Sequence, residues 1–320
     1  YQGALKSLRG AAARAPFYAQ PRWKLGHLLL EIGTRQAAFA ELRQAAQSDP
    51  RLLQKAFDLA WKAFEGDAAQ VRRAIAPQDD RTAFALADFL LRQGRSEEAV
   101  ELFRAAKSVP GERRRALVEG LMKNKRFGEA YDLWAGGGSV GGGVRPFGEL
   151  LDGSFEKKID PTEVGFGWRV APAAAELQAS LDTHDPHTGE RSLLLVFNGP
   201  ARSQHLVSQT VLVEPETKYR VSFAFRTKAL VSGALPLIAV VGEGGAGPRV
   251  LAESDPFTKN VEPWRAVTVE VTTPPDATAV TVRLQRQATC DSGRCPVFGQ
   301  LWLDSFHLEK LAPAAEVARR

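Results

Sequence analysis

Two alternating stretches carry the side chains best suited to recognition chemistry. Tyr219, Val221, Phe223 and Phe225 alternate with Arg220, Ser222, Ala224 and Arg226, and Val280, Val282 and Leu284 alternate with Thr281, Arg283 and Gln285. A period of two sends successive side chains to opposite faces of a strand. The polar side of the candidate sheet is therefore expected to show Arg220, Arg226, Arg283 and Gln285. Guanidinium and amide groups are planar, multidentate partners for hydroxyls and carboxylates. Phe166, Phe257 and Phe298 lie near predicted loops, where an exposed ring can stack on the apolar face of a ligand. An Arg-rich, aromatic-poor face suits an anionic polymer or an acidic protein surface.

Other reactive types are sparse. Cys290 and Cys295 are the two cysteines, in Cys-Asp-Ser-Gly-Arg-Cys. This spacing fits a loop closed by a disulfide. A structural zinc would need four ligands, with only His307 near in sequence, and a redox pair prefers Cys-x-x-Cys. A disulfide implies an oxidising compartment, so an extracytoplasmic location is expected. His184-Asp185-Pro186-His187 offers two imidazoles, but the proline and the loop position spoil a helical metal pair. No His-Glu-x-x-His pair and no Walker loop is present, and a non-catalytic role is expected.

The elements that position these residues fall into two regimes. The 320 residues are 44% hydrophobic and 25% charged, an ordinary globular balance that makes two domains the natural expectation. Residues 1–150 carry 24 Lys/Arg against 17 Asp/Glu, and residues 151–320 carry 18 against 20. The basic half points to an acidic partner or to solvated helix faces. Zinc-finger spacing, basic-region heptads and aromatic/basic interleaving are missing, which argues against nucleic acid. No apolar run is long enough to span a bilayer. The chain opens on Tyr1, so a signal or anchor upstream of residue 1 is an expectation.

Residues 1–135 read as successive helices. Apolar residues recur at spacings of three and four, as in Leu25, Leu28, Leu29 and Ile32, and breaks fall at Gly33, Asp49-Pro50, Gly66-Asp67, Pro77, Gly94 and Pro110-Gly111. Pro21, Pro50, Asp79 and Pro110 each open a unit, 29–31 residues apart, as in a solenoid. Trp23-Lys24-Leu25-Gly26-His27-Leu28-Leu29 with Gly33, Ala37-Ala38-Phe39, Ala45 and Asp49-Pro50 resembles a tetratricopeptide repeat. Ala83-Phe84-Ala85-Leu86-Ala87 with Gly94, Glu98-Ala99 and Phe103-Arg104-Ala105-Ala106 resembles a second. The resemblance implies a TPR-like solenoid whose concave groove holds a protein or peptide partner. The glycine-rich stretch 136–149 then reads as a linker.

From 150 to 311 helix formers give way to about ten short alternating runs, which argues an all-β sandwich or jelly roll; residues 312–320 are a tail. The order of motifs here is Asp152-Gly153-Ser154-Phe155-Glu156, Gly167-Trp168, His187-Thr188-Gly189-Glu190-Arg191-Ser192-Leu193, Ser208-Gln209-Thr210-Val211, Tyr219-Arg220-Val221-Ser222-Phe223, Trp264 and Leu301-Trp302-Leu303-Asp304-Ser305-Phe306. It resembles the jelly-roll carbohydrate-binding modules of families four, nine and twenty-two. That resemblance implies a polysaccharide ligand and places Trp168, Trp264 and Trp302 in the core. It also implies a structural calcium ion held by the side chains of Glu156 and Asp304 and by backbone carbonyls near Ser154 and Arg191. The whole chain then reads as a bacterial protein pairing a protein-binding scaffold with a polysaccharide-binding module, in export, assembly or anchoring of a surface polysaccharide. The alternatives are a protein-assembly scaffold without sugar binding, and an accessory part of a polysaccharide-active enzyme.

Overall fold

The computed structural model describes residues 1–106, 109–136, 145–171, 177–199, 205–244, 247–286 and 296–312. The chain divides into two compact units, Tyr1–Asn124 and Lys125–Arg320.

The first unit is helical. It comprises α1 (Gln2–Arg14), α2 (Ala19–Glu31), α3 (Arg35–Ser48), a 3-10 turn (Pro50–Leu52), α4 (Leu53–Ala63), α5 (Ala68–Ile75), α6 (Asp80–Arg92), α7 (Ser96–Ala105) and α8 (Gly111–Lys123). The helix boundaries follow local chemistry. The carboxylates of Asp67 and Asp79 accept the backbone N–H groups of Gln70 and Thr82, capping the starts of α5 and α6. Gly33, Gly66 and Gly94 take positive φ where helices end. The helices then close on one another through side chains of unequal size. A Cβ on Gly26 would lie 2.6 Å from Leu42 Cγ, so α2 and α3 touch where only glycine fits. Phe57 meets Phe89 at 5.6 Å and Phe84 meets Phe103 at 4.7 Å, joining α4 to α6 and α6 to α7.

The second unit opens with a helix, α9 (Phe127–Ala135), and continues as ten strands: β1 (Arg169–Val170), β2 (Leu177–Asp182), β3 (Ser192–Gly199), β4 (His205–Leu212), β5 (Lys218–Ser232), β6 (Pro236–Gly244), β7 (Gly247–Glu253), β8 (Val261–Thr272), β9 (Ala279–Arg286) and β10 (Val297–Lys310). They form two five-stranded sheets, ordered β1-β4-β9-β6-β7 and β2-β3-β10-β5-β8, with antiparallel pairing throughout. Alternation places Val221, Phe223 and Phe225 of β5 and Val280, Val282 and Leu284 of β9 in one shared core. Trp168 joins that core, and its Nε1 donates to the Asp152 carbonyl at 2.9 Å. Strand β6 departs from simple alternation. Ile238 and Val240 enter the core, while Leu237, Ala239 and Val241 form a second buried cluster on the opposite face.

Candidate functional site: the outer face of the first sheet

The register of the first sheet assembles a row that no local pattern announces. Arg169 of β1 stands opposite Ser208 of β4; Ser208 opposes Arg283 of β9; Arg283 opposes Ala239 of β6; and Ala239 opposes Glu253 of β7. One row thus crosses all five strands. The adjoining row is Thr210, Thr281 and Val241. Both rows lie on the outer face, because the alternate residues Val282 and Val240 point into the core.

Hydrogen bonds tie the polar members into two chains. Arg169 Nη2 donates to Thr210 Oγ1 at 3.2 Å, the two hydroxyls of Thr210 and Thr281 lie 3.3 Å apart, and Thr281 Oγ1 donates to Glu243 Oε1 at 2.8 Å. Arg283 Nε donates to Gln285 Oε1 at 2.8 Å, and Gln285 Nε2 donates to Glu253 Oε1 at 2.6 Å. Thr210, Thr281, Leu237, Ala239 and Val241 are buried, whereas Arg169, Glu243, Arg283 and Gln285 are half-buried and Glu253 is exposed. The face carries long planar polar groups on its central strand β9 and on its edge strands, with the small and apolar groups of β6 between β9 and β7. Burial pushes the pKa of both guanidinium groups below its ordinary value; Glu163 and Glu243 oppose this at Arg169, and Glu243 and Glu253 oppose it at Arg283. Arg169 Nε is buried without a hydrogen-bond partner among the described residues. Such a surface holds donors and acceptors at fixed spacing for a ligand rich in hydroxyls.

Helix α9 stands against this unit. Lys125 Nζ donates to the carbonyl of Gly244, at the end of β6. At the other end of the helix, Trp134 Nε1 donates to Glu163 Oε1 at 3.0 Å, close to the start of β1. Nine residues of helix rise about 13 Å, and three strand spacings from β6 to β1 span about 14 Å. The helix therefore matches the breadth of the sheet between its two attachments. Arg145 braces it through a two-pronged pair with Asp132, at 3.0 and 2.7 Å.

The four polar residues expected on one face divide between two. Arg283 and Gln285 belong to the first sheet, but Arg220 and Arg226 lie on the second. The reason is topological: β5 and β9 are remote in strand order, so equal alternation does not give a shared face. Both second-sheet arginines are already engaged. Arg220 pairs with Glu270 at 2.9 Å and Glu309 at 3.1 Å. The Arg226 guanidinium sits 4.5 Å from the Trp302 ring and 5.2 Å from that of Trp264, and Nη1 pairs with Asp185 at 2.7 Å. Its side chain is only 11% exposed. Trp302 and Trp264 are therefore clamp residues on the outside of the second sheet and do not enter the sandwich interior. Their indoles donate to Asp182 Oδ2 at 2.7 Å and to the Asp185 carbonyl at 2.9 Å.

The expected aromatic platforms are also revised. Phe166 is buried beneath Tyr131 and Trp134, at 5.0 and 5.8 Å. Phe257 is buried against Phe225 at 4.5 Å. Only Phe298 of the three is open, at 49% exposure, and it lies on the second sheet opposite Val231. Sequence patterning missed Arg169, Thr210, Glu243 and Glu253, whose common face arises from pairing between distant strands.

Glu156 and Asp304, the two acids of the calcium expectation, both face the loop that precedes β3. Glu156 Oε1 accepts the N–H groups of Glu190 at 2.9 Å and Arg191 at 3.2 Å. Asp304 Oδ2 accepts those of His187 at 2.8 Å and Thr188 at 3.1 Å, and Oδ1 accepts that of Ser305 at 2.5 Å. Gly189 has φ +68°, and a Cβ there would lie 2.1 Å from Glu156 Oε1. Ser154 contributes its hydroxyl to Thr188 at 3.0 Å, and Arg191 Nη1 donates to the Glu156 carbonyl at 3.3 Å. Both carboxylates thus bind the backbone of one loop. The N–H donors use Glu156 Oε1 and both oxygens of Asp304, so the pair has a structural role in fixing that loop. Among the described residues no group of three or more His, Cys, Asp or Glu is placed to hold a metal. Cys290 and Cys295 lie outside the described residues.

The helical unit carries its own concavities. One of about 280 Å³ is lined by Arg43, Gln47, Leu53, Ile75, Gln78 and Arg81. Another, of about 640 Å³, is lined by Arg72, Arg73, Gln78, Asp80, Glu101 and Leu102. No helix among the described residues is long and apolar enough to cross a membrane.

A solved structure entitled a family 4 carbohydrate-binding module matches with 12% identity and a TM-score of 0.37, covering 51% of this chain and 99% of that one. The C-terminal family 22 carbohydrate-binding module of Clostridium thermocellum Xyn10B matches with 17% identity and a TM-score of 0.36, over 53% and 97%. TmCBM61 in complex with β-1,4-galactotriose matches with 16% identity and a TM-score of 0.34, over 51% and 99%. No family model matches the sequence. No curated protein matches it either.

Proposed function

We propose that the second unit binds a polysaccharide on the outer face of its first sheet, and that the protein is non-catalytic. The observation that carries this reading is the row Arg169–Ser208–Arg283–Ala239–Glu253 with its two hydrogen-bonded chains. Sugars present apolar ring faces edged by hydroxyls, and this surface sets the apolar strip of β6 beside the planar polar groups of the central strand β9. The charge balance favours a neutral glycan over the anionic one expected from the arginines alone. Glu243 and Glu253 accompany Arg169 and Arg283, and the second-sheet arginines have their own carboxylates. The first unit, read as a TPR-like solenoid, offers cavities edged by Arg43, Arg81, Arg72 and Arg73 to an acidic peptide segment. Together they suit a protein acting outside the cytoplasm in export, assembly or anchoring of a surface polysaccharide.

The test is electrophoresis of the full chain through native gels containing soluble xylan, hydroxyethylcellulose, galactan or an acidic polysaccharide. Retardation by a neutral glycan, lost in Arg283→Ala, supports the reading; retardation by none of them removes it. A second reading, a protein-assembly scaffold, is favoured by one observation: none of the described strand residues on the first sheet's outer face is aromatic.

A further inference from the structure

We propose that Trp134 of α9 is a positioning residue for Arg169, and thereby sets the affinity of the first sheet's outer face for its ligand. The ligand part of this inference rests on the polysaccharide reading; the positioning part does not.

Among the described residues strand β1 spans Arg169–Val170 and pairs with β4 through two residue pairs, with one further bond from the Ala171 N–H to the Leu206 carbonyl at 2.8 Å. An edge strand so short is weakly held by its own ladder. Its geometry depends on the segment that delivers the chain into it, and that segment is gripped from outside. Glu163 Oε1 accepts Trp134 Nε1 at 3.0 Å and the Gly165 N–H at 2.5 Å. Phe166 packs edge-on against Tyr131 and Trp134. A Cβ on Gly165 would lie 2.3 Å from Trp134 Cδ1, and one on Gly167 would lie 2.7 Å from Glu163 Oε2. The indole and the carboxylate therefore fill the spaces that both glycines leave. Trp168 follows, anchored in the core through its bond to Asp152.

Arg169 itself is under-determined by the sheet. Its guanidinium makes one described bond, to Thr210, while Nε is buried and unpartnered. Where the chain enters β1 decides where the remaining donors point. Glu163 also opposes the effect of burial on the Arg169 charge, so the residue that Trp134 holds is one that Arg169 senses. The helix can act as a support because it is tied at both ends, by Lys125 to Gly244 and by Asp132 to Arg145. Trp134 touches neither row of the face directly; it acts through Glu163 and the glycine-flanked turn.

The experiment uses the full chain with Trp134→Phe, which keeps a ring and removes the N–H donor. Two readouts are taken: retardation in the neutral-glycan gels, and the Nε–Hε resonance of Arg169 in a nitrogen-15 spectrum, assigned by its loss in Arg169→Lys. The expected result is an affinity weakened about three- to tenfold, the order of one lost hydrogen bond. The Arg169 resonance should move and exchange faster with solvent, with a melting temperature within about 2 °C of the parent. If Trp134→Phe melts early, Glu163→Gln replaces it, and the same resonance must move. An unmoved Arg169 resonance in the folded variant overturns the proposal. Absence of retardation for the parent protein defeats only the polysaccharide reading, since the spectrum still decides whether Trp134 positions Arg169.

Discussion

The two outer faces of the sandwich use the same residue types to opposite ends. On the second sheet, Arg226 is enclosed by two indoles and a carboxylate, and the tryptophans spend their own N–H groups on Asp182 and the Asp185 carbonyl. Arg220 is held between Glu270 and Glu309. On the first sheet, Arg169 and Arg283 each make one described hydrogen bond, to a neutral partner. A buried Nε without a partner is common to Arg169 and Arg226, so the faces differ in how many groups hold each arginine and in their charge. The difference teaches that an arginine on a strand is no sign of recognition until its partners are counted. A guanidinium held by several charged and aromatic partners stabilises the fold, whereas one held by a single neutral partner has donors left for something else.

The comparison breaks most sharply at Arg226. Arg226→Met should destabilise the second unit by about 2–3 kcal/mol, since it removes a desolvated cation from between two rings and its ion pair. Urea unfolding followed by tryptophan fluorescence measures it, and a loss under about 0.5 kcal/mol would show that the clamp is ornamental. Asp304→Asn comes next. Its amide NH2 would face either the Ser305 N–H or the two N–H groups of His187 and Thr188, at a cost of about 1–3 kcal/mol. The same melting curves run with calcium and with chelator decide the metal: a chelator-induced drop of several degrees would place calcium at Glu156 and Asp304, and coincident curves would leave the loop N–H groups as their partners.

Arg283→Ala should behave in the reverse sense to Arg226→Met. Stability should change by less than about 0.5 kcal/mol while glycan retardation weakens tenfold or more. A large loss of stability with retained binding would reverse the roles assigned to the two sheets. The smallest effect is one of pH. Burial raises the pKa of Asp182, but the His184 N–H, the Trp302 indole and Arg226 prevail and hold it below its ordinary value. A lowered carboxyl gives stability that is complete above its unfolded value, near 3.9, and is lost as pH falls through the folded one. The melting-temperature gap between the parent and Asp182→Asn should therefore be constant near neutrality and shrink below about pH 4.

How much of this was legible in the sequence depends on the range of each signal. Helix ends were legible because Gly33, Gly66-Asp67 and Gly94 act on their nearest neighbours, and those positions are ends and caps. The inward faces of β5, β8 and β9 were legible because alternation is local. What alternation omits is which strands are neighbours. Arg226 and Arg283 have identical patterning and lie on different sheets, so the proposed site could be half named but not assembled. Helix α9 presents a third case. Its helicity was plain from Phe127 to Ala135, but Trp134 finds its acceptor at Glu163, beyond the glycine-rich stretch, and no periodicity reaches that far.

Strand β6 carries a consequence for how the chain must be made. Apolar on both faces from Leu237 to Val241, it has little internal preference for one register over a slip by one residue. An uncharged, β-prone run of that kind also stacks readily on copies of itself. In the finished protein β9 and β7 cover its two edges. Before they arrive, during synthesis or after dilution from denaturant, this is the segment through which chains would find each other. The yield of soluble protein should accordingly depend on how quickly β7 and β9 close over it.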